Sequence, residues 1–450
     1  MPPSPLHLSI FFLFTILTIS SSIQQINSIT TDQVRAGFWL SHSSSYSPLA
    51  NINTSLFTHL YYSSLFVDET SLEITLPPPE KLPLLTSFSA TLKTNNSALK
   101  TLLSISTATP SFSSIVSDAH HRGSFIDSVM ALARHHSFDG LDLEWQFPSS
   151  SADMLGLGLL LTEWRARIDN EIRGTSPLLL TITVYFSDHV FNGTNTTTDG
   201  LDYPIDLIKN SVDWTNALCF DYHANDETVT SANAALYDVS SHFSTSYGIA
   251  SWLDAGLPPQ KLVMGVPLFG RSWFLRNKLK NQLGSPAVAF GPRQKRSNQT
   301  GVIAYFEIEE LLSRTNTTVI YNNQSVSAYF NAGDLWVSFD SPDVVDEKIA
   351  FASHNRLLGY FLWPISFDSL NFEISRQASD TWLKEHDDSV DADGVDAPEQ
   401  ALSPTELQPQ NLAPTQSISI ASSIRILPAV HPFQLIFFLP SVIICCLAIL

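Results

Sequence analysis

Short apolar runs recur along the chain between about residues 33 and 385. The stretches between them return apolar residues every three or four positions. The runs are VRAGFWL (34–40), HLYYSSLFV (59–67), KTLLSIS (100–106), FDGLDLEW (138–145), LLLTITVYF (178–186), VDWTNALCFDYH (212–223), KLVMGVPLF (261–269) and LLGYFLW (357–363). Runs of this length, rich in β-branched and aromatic residues, predict strands buried on both faces. The intervening segment RGSFIDSVMALARHH (122–136) places Phe125, Ile126, Val129, Met130 and Leu132 on one helical stripe. Eight buried strands alternating with helices predict an α/β fold, the closed parallel (β/α)8 arrangement known as the TIM barrel. The gap from 270 to 356 is too long for one helix and holds strand-like pieces of its own, TTVIY and LWVSF. A small α+β insertion, at about 275–350, is therefore expected between strands seven and eight.

The ends of the chain break the pattern. Leu8 to Leu17 is a short apolar run followed by small polar residues, which predicts a secretory signal peptide over residues 1–22. Residues 386–432 turn acidic and rich in Pro, Gln and Ser, as a flexible stalk would. Phe433 to Leu450 is apolar throughout, behind a spacer and the small residues Ala421, Ser422 and Ser423. That order fits a glycosylphosphatidylinositol (GPI) attachment signal, with a C-terminal transmembrane segment as the competing reading. An extracellular or cell-surface location with membrane attachment through the tail is expected.

Composition narrows the partners. A formal net charge of −19 over 450 residues disfavours nucleic acid, whose phosphates call for Lys and Arg. Seven Asn-x-Ser/Thr sequons, at Asn53, Asn95, Asn192, Asn195, Asn298, Asn316 and Asn323, suit a glycosylated surface. Of three cysteines only Cys219 lies in the patterned body, so that body has no internal disulfide to expect. No metal-ligand spacing is apparent, and neither a metal nor a cofactor is expected.

Chemistry in such barrels gathers at the C-terminal ends of the strands. The residues placed there are Trp39, Gln146, Phe186, Asp221, His223, Phe269, Arg271 and Trp363. Aromatic faces stack on apolar sugar faces, while carboxylates and guanidinium groups bond hydroxyls, so this set predicts a sugar cleft. Strand four carries the strongest signal. Side chains alternate along a strand, so Asp142, Glu144 and Gln146 share a face, with Asp139 at the start. Carboxylates on a buried strand are costly unless they are hydrogen-bonded or share protons, which argues for chemistry at this place.

The stretch FDGLDLEWQFP (138–148) resembles the DxxDxDxE signature of glycoside hydrolase family 18, the chitinases. SLFTHLYYSS (55–64), YPIDLIKNSVDWTNALCFDYH (203–223), KLVMGVPLFGRSW (261–273) and GYFLWP (359–364) are similar to the plant class V group, and the resemblance spans about residues 33–380. It implies a TIM barrel with an α+β insertion after strand seven. It also implies a general acid at position 146, an acetamido-orienting carboxylate at 144 and supporting carboxylates at Asp142 and Asp139. Trp363 corresponds to the floor for the central sugar, and Asp221, Arg271, Phe38, Phe220, Phe269 and His223 complete the substrate-binding set.

The sequence departs from that pattern where the chemistry is done. Position 146 is Gln, which has no titratable proton, and position 144 is Glu rather than Asp. Two residues along a strand span about 6.6 Å, and one methylene adds only ~1.3 Å, so Glu144 is not expected to stand in for the acid. Ser104–Thr107 reads SIST in place of SxGG, and Leu218-Cys219-Phe220-Asp221 in place of Met-x-Tyr-Asp. Phe38, Phe147 and Phe269 replace frequent tyrosines, which keeps rings and removes hydroxyls. The expectation is a catalytically impaired, chitinase-like protein that binds N-acetylglucosamine-containing glycans such as chitin oligomers, with a membrane co-receptor as a candidate partner. A weakly active glycosidase and a scaffold or storage-type barrel without sugar binding are the alternatives.

Overall fold

The computed structural model describes residues 33–107, 109–171, 176–191, 200–223, 226 and 228–392. The expected signal peptide and apolar tail, most of the stalk, and the sequons at Asn192 and Asn195 lie outside the described residues.

Eight strands form the centre: β1 (Val34–Leu40), β2 (His59–Val67), β3 (Lys100–Thr107), β4 (Gly140–Trp145), β5 (Leu179–Tyr185), β6 (Trp214–Leu218), β7 (Leu262–Pro267) and β8 (Gly359–Trp363). Each pairs in parallel with its neighbours, and β1 pairs with both β2 and β8, so the sheet closes on itself. The barrel is the one the apolar runs predict. Burial on both faces explains their near-continuous hydrophobicity: inward residues fill the barrel and outward residues meet the helices. On β4, Trp145 points out to Phe112 of helix Thr109–Ser117, at 5.4 Å between ring centroids.

The helices begin where the sequence supplies caps. Asp118 accepts from the backbone N–H groups of His120 and His121 at the head of Ala119–His135. Ser150 accepts from Asp153 N–H at the head of Ser151–Asp169, and Ser244 from Tyr247 N–H at the head of Thr245–Asp254.

The insertion starts earlier than the sequence suggests. Strand Phe269–Leu275 follows β7 after a single residue and opens a six-stranded antiparallel sheet. This sheet carries helix Tyr305–Thr315 and ends with strand Leu335–Phe339. The buried Lys348 on helix Pro342–His354 ties its exit down, donating to Asp340 Oδ2 and the Ala234 carbonyl. The last helix, Glu373–Ala392, continues beyond the expected barrel boundary at 385. The described residues include no helix long and apolar enough to cross a membrane.

Candidate functional site

Strand alternation turns Asp142, Glu144 and Gln146 into the barrel, and all three are buried. Asp142 lies deepest. Its Oδ1 accepts from Thr181 Oγ1 (2.7 Å), Thr183 Oγ1 (3.2 Å) and Asn216 Nδ2 (3.3 Å), and its Oδ2 from Ser104 Oγ (2.9 Å). Register explains the cage: Ser104 of β3 and Thr181 of β5 stand directly beside Asp142. Burial pushes the Asp142 carboxyl up to about 6, and the four donors hold it from rising further.

Glu144 stands one inward step nearer the mouth. Its Oε1 accepts from Gln146 Nε2 at 2.7 Å, while its Oε2 is buried with no hydrogen-bond partner among the described residues. Burial, and then the neighbouring Asp142 charge, push its carboxyl up to about 8. The Cα positions are two residues apart, yet side chains on one face converge, and the Glu144 carboxyl touches the head group of residue 146.

Other residues assigned from sequence divide into those the mouth holds and those it does not. Asp221 follows β6 in a loop with φ of 63° rather than in a strand. Arg271, on the strand after β7, grips it through two bonds of 2.7 Å, Nε to Oδ1 and Nη2 to Oδ2. They form a mutually satisfied pair. Trp363, at the end of β8, is half-buried, with Phe38 against it at 4.8 Å between ring centroids. Phe269 and Phe220 lie beside this rim with ring centroids 5.8 Å apart. His223 is half-buried against Phe243, and burial lowers its pKa.

Phe38 is corrected: it is completely buried, stacked on Tyr61 at 4.0 Å and against Trp363 at 4.8 Å, so it supports the tryptophan from beneath. Asp139 is corrected too. It sits at the opposite end of β4, where its Oδ2 accepts from Thr101 N–H (2.7 Å) and meets Lys93 Nζ at 2.6 Å, a structural clamp remote from the mouth. Trp39 faces outward to Tyr62 and Phe88, and Phe186 packs under Tyr222 and Phe243.

The sequence reading did not single out Thr181, Thr183, Asn216 or Tyr61, which build the Asp142 surroundings. Their signal was present: in LLTITVY the threonines alternate with apolar residues, so they point to one face. Among the described residues no group of three or more His, Cys, Asp or Glu is placed to hold a metal.

A closed parallel barrel with two buried inward carboxyls on β4, a half-buried tryptophan ending β8 and an antiparallel insertion after β7 defines a TIM-barrel protein of the glycosidase type. The chain belongs to glycosyl hydrolases family 18, whose family model matches residues 34–368. It is 35% identical over 366 residues to Nod factor hydrolase protein 1 of Medicago truncatula, covering 79% of this chain and 91% of that one. A solved Glu→Gln mutant of the class V chitinase from Nicotiana tobaccum, in complex with NAG4, superposes with a TM-score of 0.72 at 34% identity. That match covers 78% of this chain and 99% of the tobacco chain. The chitinase-like agglutinin RobpsCRA from Robinia pseudoacacia superposes with a TM-score of 0.68 at 31% identity, with the same coverage of each chain.

Proposed function

We propose that this chain binds chitin-type, N-acetylglucosamine-containing oligosaccharides in the β4–β8 mouth and hydrolyses them poorly or not at all. The observation that carries the reading is Gln146. It occupies the position of the family's general acid, its amide is spent on Glu144, and it has no proton to release. Loss of a positioned acid typically costs ~10²–10⁴-fold in rate. Binding needs no such proton: the half-buried Trp363 offers an aromatic ring for stacking, and the Gln146 side-chain carbonyl can still accept from a sugar hydroxyl. Two relatives support binding without turnover. The tobacco mutant carries a Glu→Gln change with the tetrasaccharide in place, and the Robinia protein of this fold is an agglutinin.

One observation favours the alternative of slow hydrolysis. Glu144 holds its proton near neutrality and lies a single hydrogen bond from the head group of residue 146. As an acid it would be displaced from that position by one contact length, where proton transfer needs direct contact of about 2.6–3.2 Å. The test uses the secreted barrel with chitin oligomers. Calorimetric binding without released product supports the binding reading, and steady product release from wild type refutes it.

The proposed setting is the cell surface, reached through the signal peptide and held by the C-terminal tail. Signalling from such a protein calls for a membrane partner, the co-receptor named above.

A further inference from the structure

The two inward carboxyls of β4 are treated very differently by their surroundings. Asp142 receives four side-chain donors: Ser104, Thr181, Thr183 and Asn216 all donate to it. Such a cage suits a carboxylate. Glu144 accepts from the Gln146 amide on Oε1, the Ser104 hydroxyl that donates to Asp142 adds a weaker stabilisation of its charge, and Oε2 is buried without a partner among the described residues.

Among the described residues no cation pairs with it either. The flanking inward residues are Ser104 and Ser106 on β3 and Thr183 on β5, all uncharged, and its own strand contributes the acid Asp142. From β6 comes the neutral Asn216, and the Arg271 guanidinium is bound through two nitrogens to Asp221. A second negative charge two residues from Asp142 on the same face would be uncompensated. The amide also decides where a proton sits, because the oxygen that accepts from Gln146 is Oε1 and Oε2 is left to carry it.

We infer that Glu144 meets the ligand as a neutral carboxylic acid, donating from Oε2 to an acceptor oxygen of the oligosaccharide, so that ligand binding is coupled to one proton on this residue. The inference rests on the proposed glycan-binding function of the same mouth. It makes Glu144 a specificity-determining residue: the ligand must present a carbonyl, hydroxyl or ring oxygen there rather than an N–H. The substitution at 146 matters beyond removing an acid, since the amide fixes the orientation in which Glu144 offers its proton.

The sign of the linkage follows. Binding through the protonated form raises the Glu144 pKa further in the complex, so affinity is complete below the free value of about 8 and declines above it. The experiment is isothermal calorimetry of the secreted barrel with chitin tetrasaccharide from about pH 5 to about pH 9.5, repeated at the alkaline end in buffers of different ionisation enthalpy. For wild type, affinity should be level at acidic and neutral pH and fall by up to about tenfold per pH unit above about 8, with proton uptake approaching one per ligand. Glu144→Gln should bind more weakly at acidic pH, by up to about tenfold, and lose the alkaline slope. Wild-type affinity that stays level to the alkaline limit without proton uptake overturns the inference while leaving glycan binding intact. An alkaline slope retained in Glu144→Gln also overturns it. Absence of wild-type binding at every pH overturns both the inference and the function it rests on.

Discussion

At the scale of single residues, Gln146 and Glu144 decide the outcome. If the mouth takes chitin oligomers as proposed, reversing both residues should return chemistry to it. The double change Gln146→Glu with Glu144→Asp is expected to raise hydrolysis of chitin oligomers at least about 10²-fold over wild type, read as product release. No gain from a folded double variant would mean that the cleft has lost more than its acid. The same carboxyls set a pH signature. Asp142 is pushed up to about 6 and Glu144 to about 8, both by burial first. The folded chain therefore holds more protons than the unfolded one between the ordinary carboxylate range and about pH 8. Their contribution to stability is complete below about pH 4 and is lost as pH rises through 6 and then 8. The melting temperature should fall over that interval, and Glu144→Gln should remove the upper part of the fall. The motif on β4 was legible because strand alternation fixes which side chains share a face. The contact between Glu144 and Gln146 was not, because Cα spacing says nothing about where two head groups converge. Nor was the burial of Phe38, which depends on Tyr61 from β2 stacking across it.

At the scale of elements, the barrel depends on tight closure between its first and last strands. Gly359 opens β8, and a Cβ there would lie 1.8 Å from the Val34 carbonyl oxygen of β1. Gly359→Ala should destabilise the fold by about 3 kcal/mol or more, measured by denaturant unfolding, because backbone rather than a flexible side chain must move. The exit of the insertion has a similar weak point. Lys348→Ala would strand Asp340 as an uncompensated buried acid, at a cost of about 3–5 kcal/mol. All eight barrel strands could be read from the apolar runs, since a strand buried on both faces is hydrophobic at nearly every position. Their ends could not. VDWTNALCFDYH reads as one continuous run, yet β6 stops at Leu218 so that Asp221 can turn out toward Arg271. KLVMGVPLF likewise merges two elements, because Phe269 already belongs to the insertion sheet.

At the scale of the whole molecule, the described surface suits a glycosylated protein. The sequon residues Asn95, Asn298, Asn316 and Asn323 are exposed, so a chain that follows the proposed secretory route should lose mass on treatment with a peptide N-glycosidase. If the tail directs lipid attachment, a phosphatidylinositol-specific phospholipase will release the protein from membranes; retention after treatment would favour a spanning segment. The proposed function has a family 18 barrel bind chitin-type oligosaccharides with no proton donor at position 146. The most direct test is one preparation of the secreted barrel assayed with chitin tetrasaccharide for binding by calorimetry and for turnover by product analysis. Saturable binding with no product above the uncatalysed background is predicted. Sustained release of shorter oligomers by the wild-type protein would contradict the account.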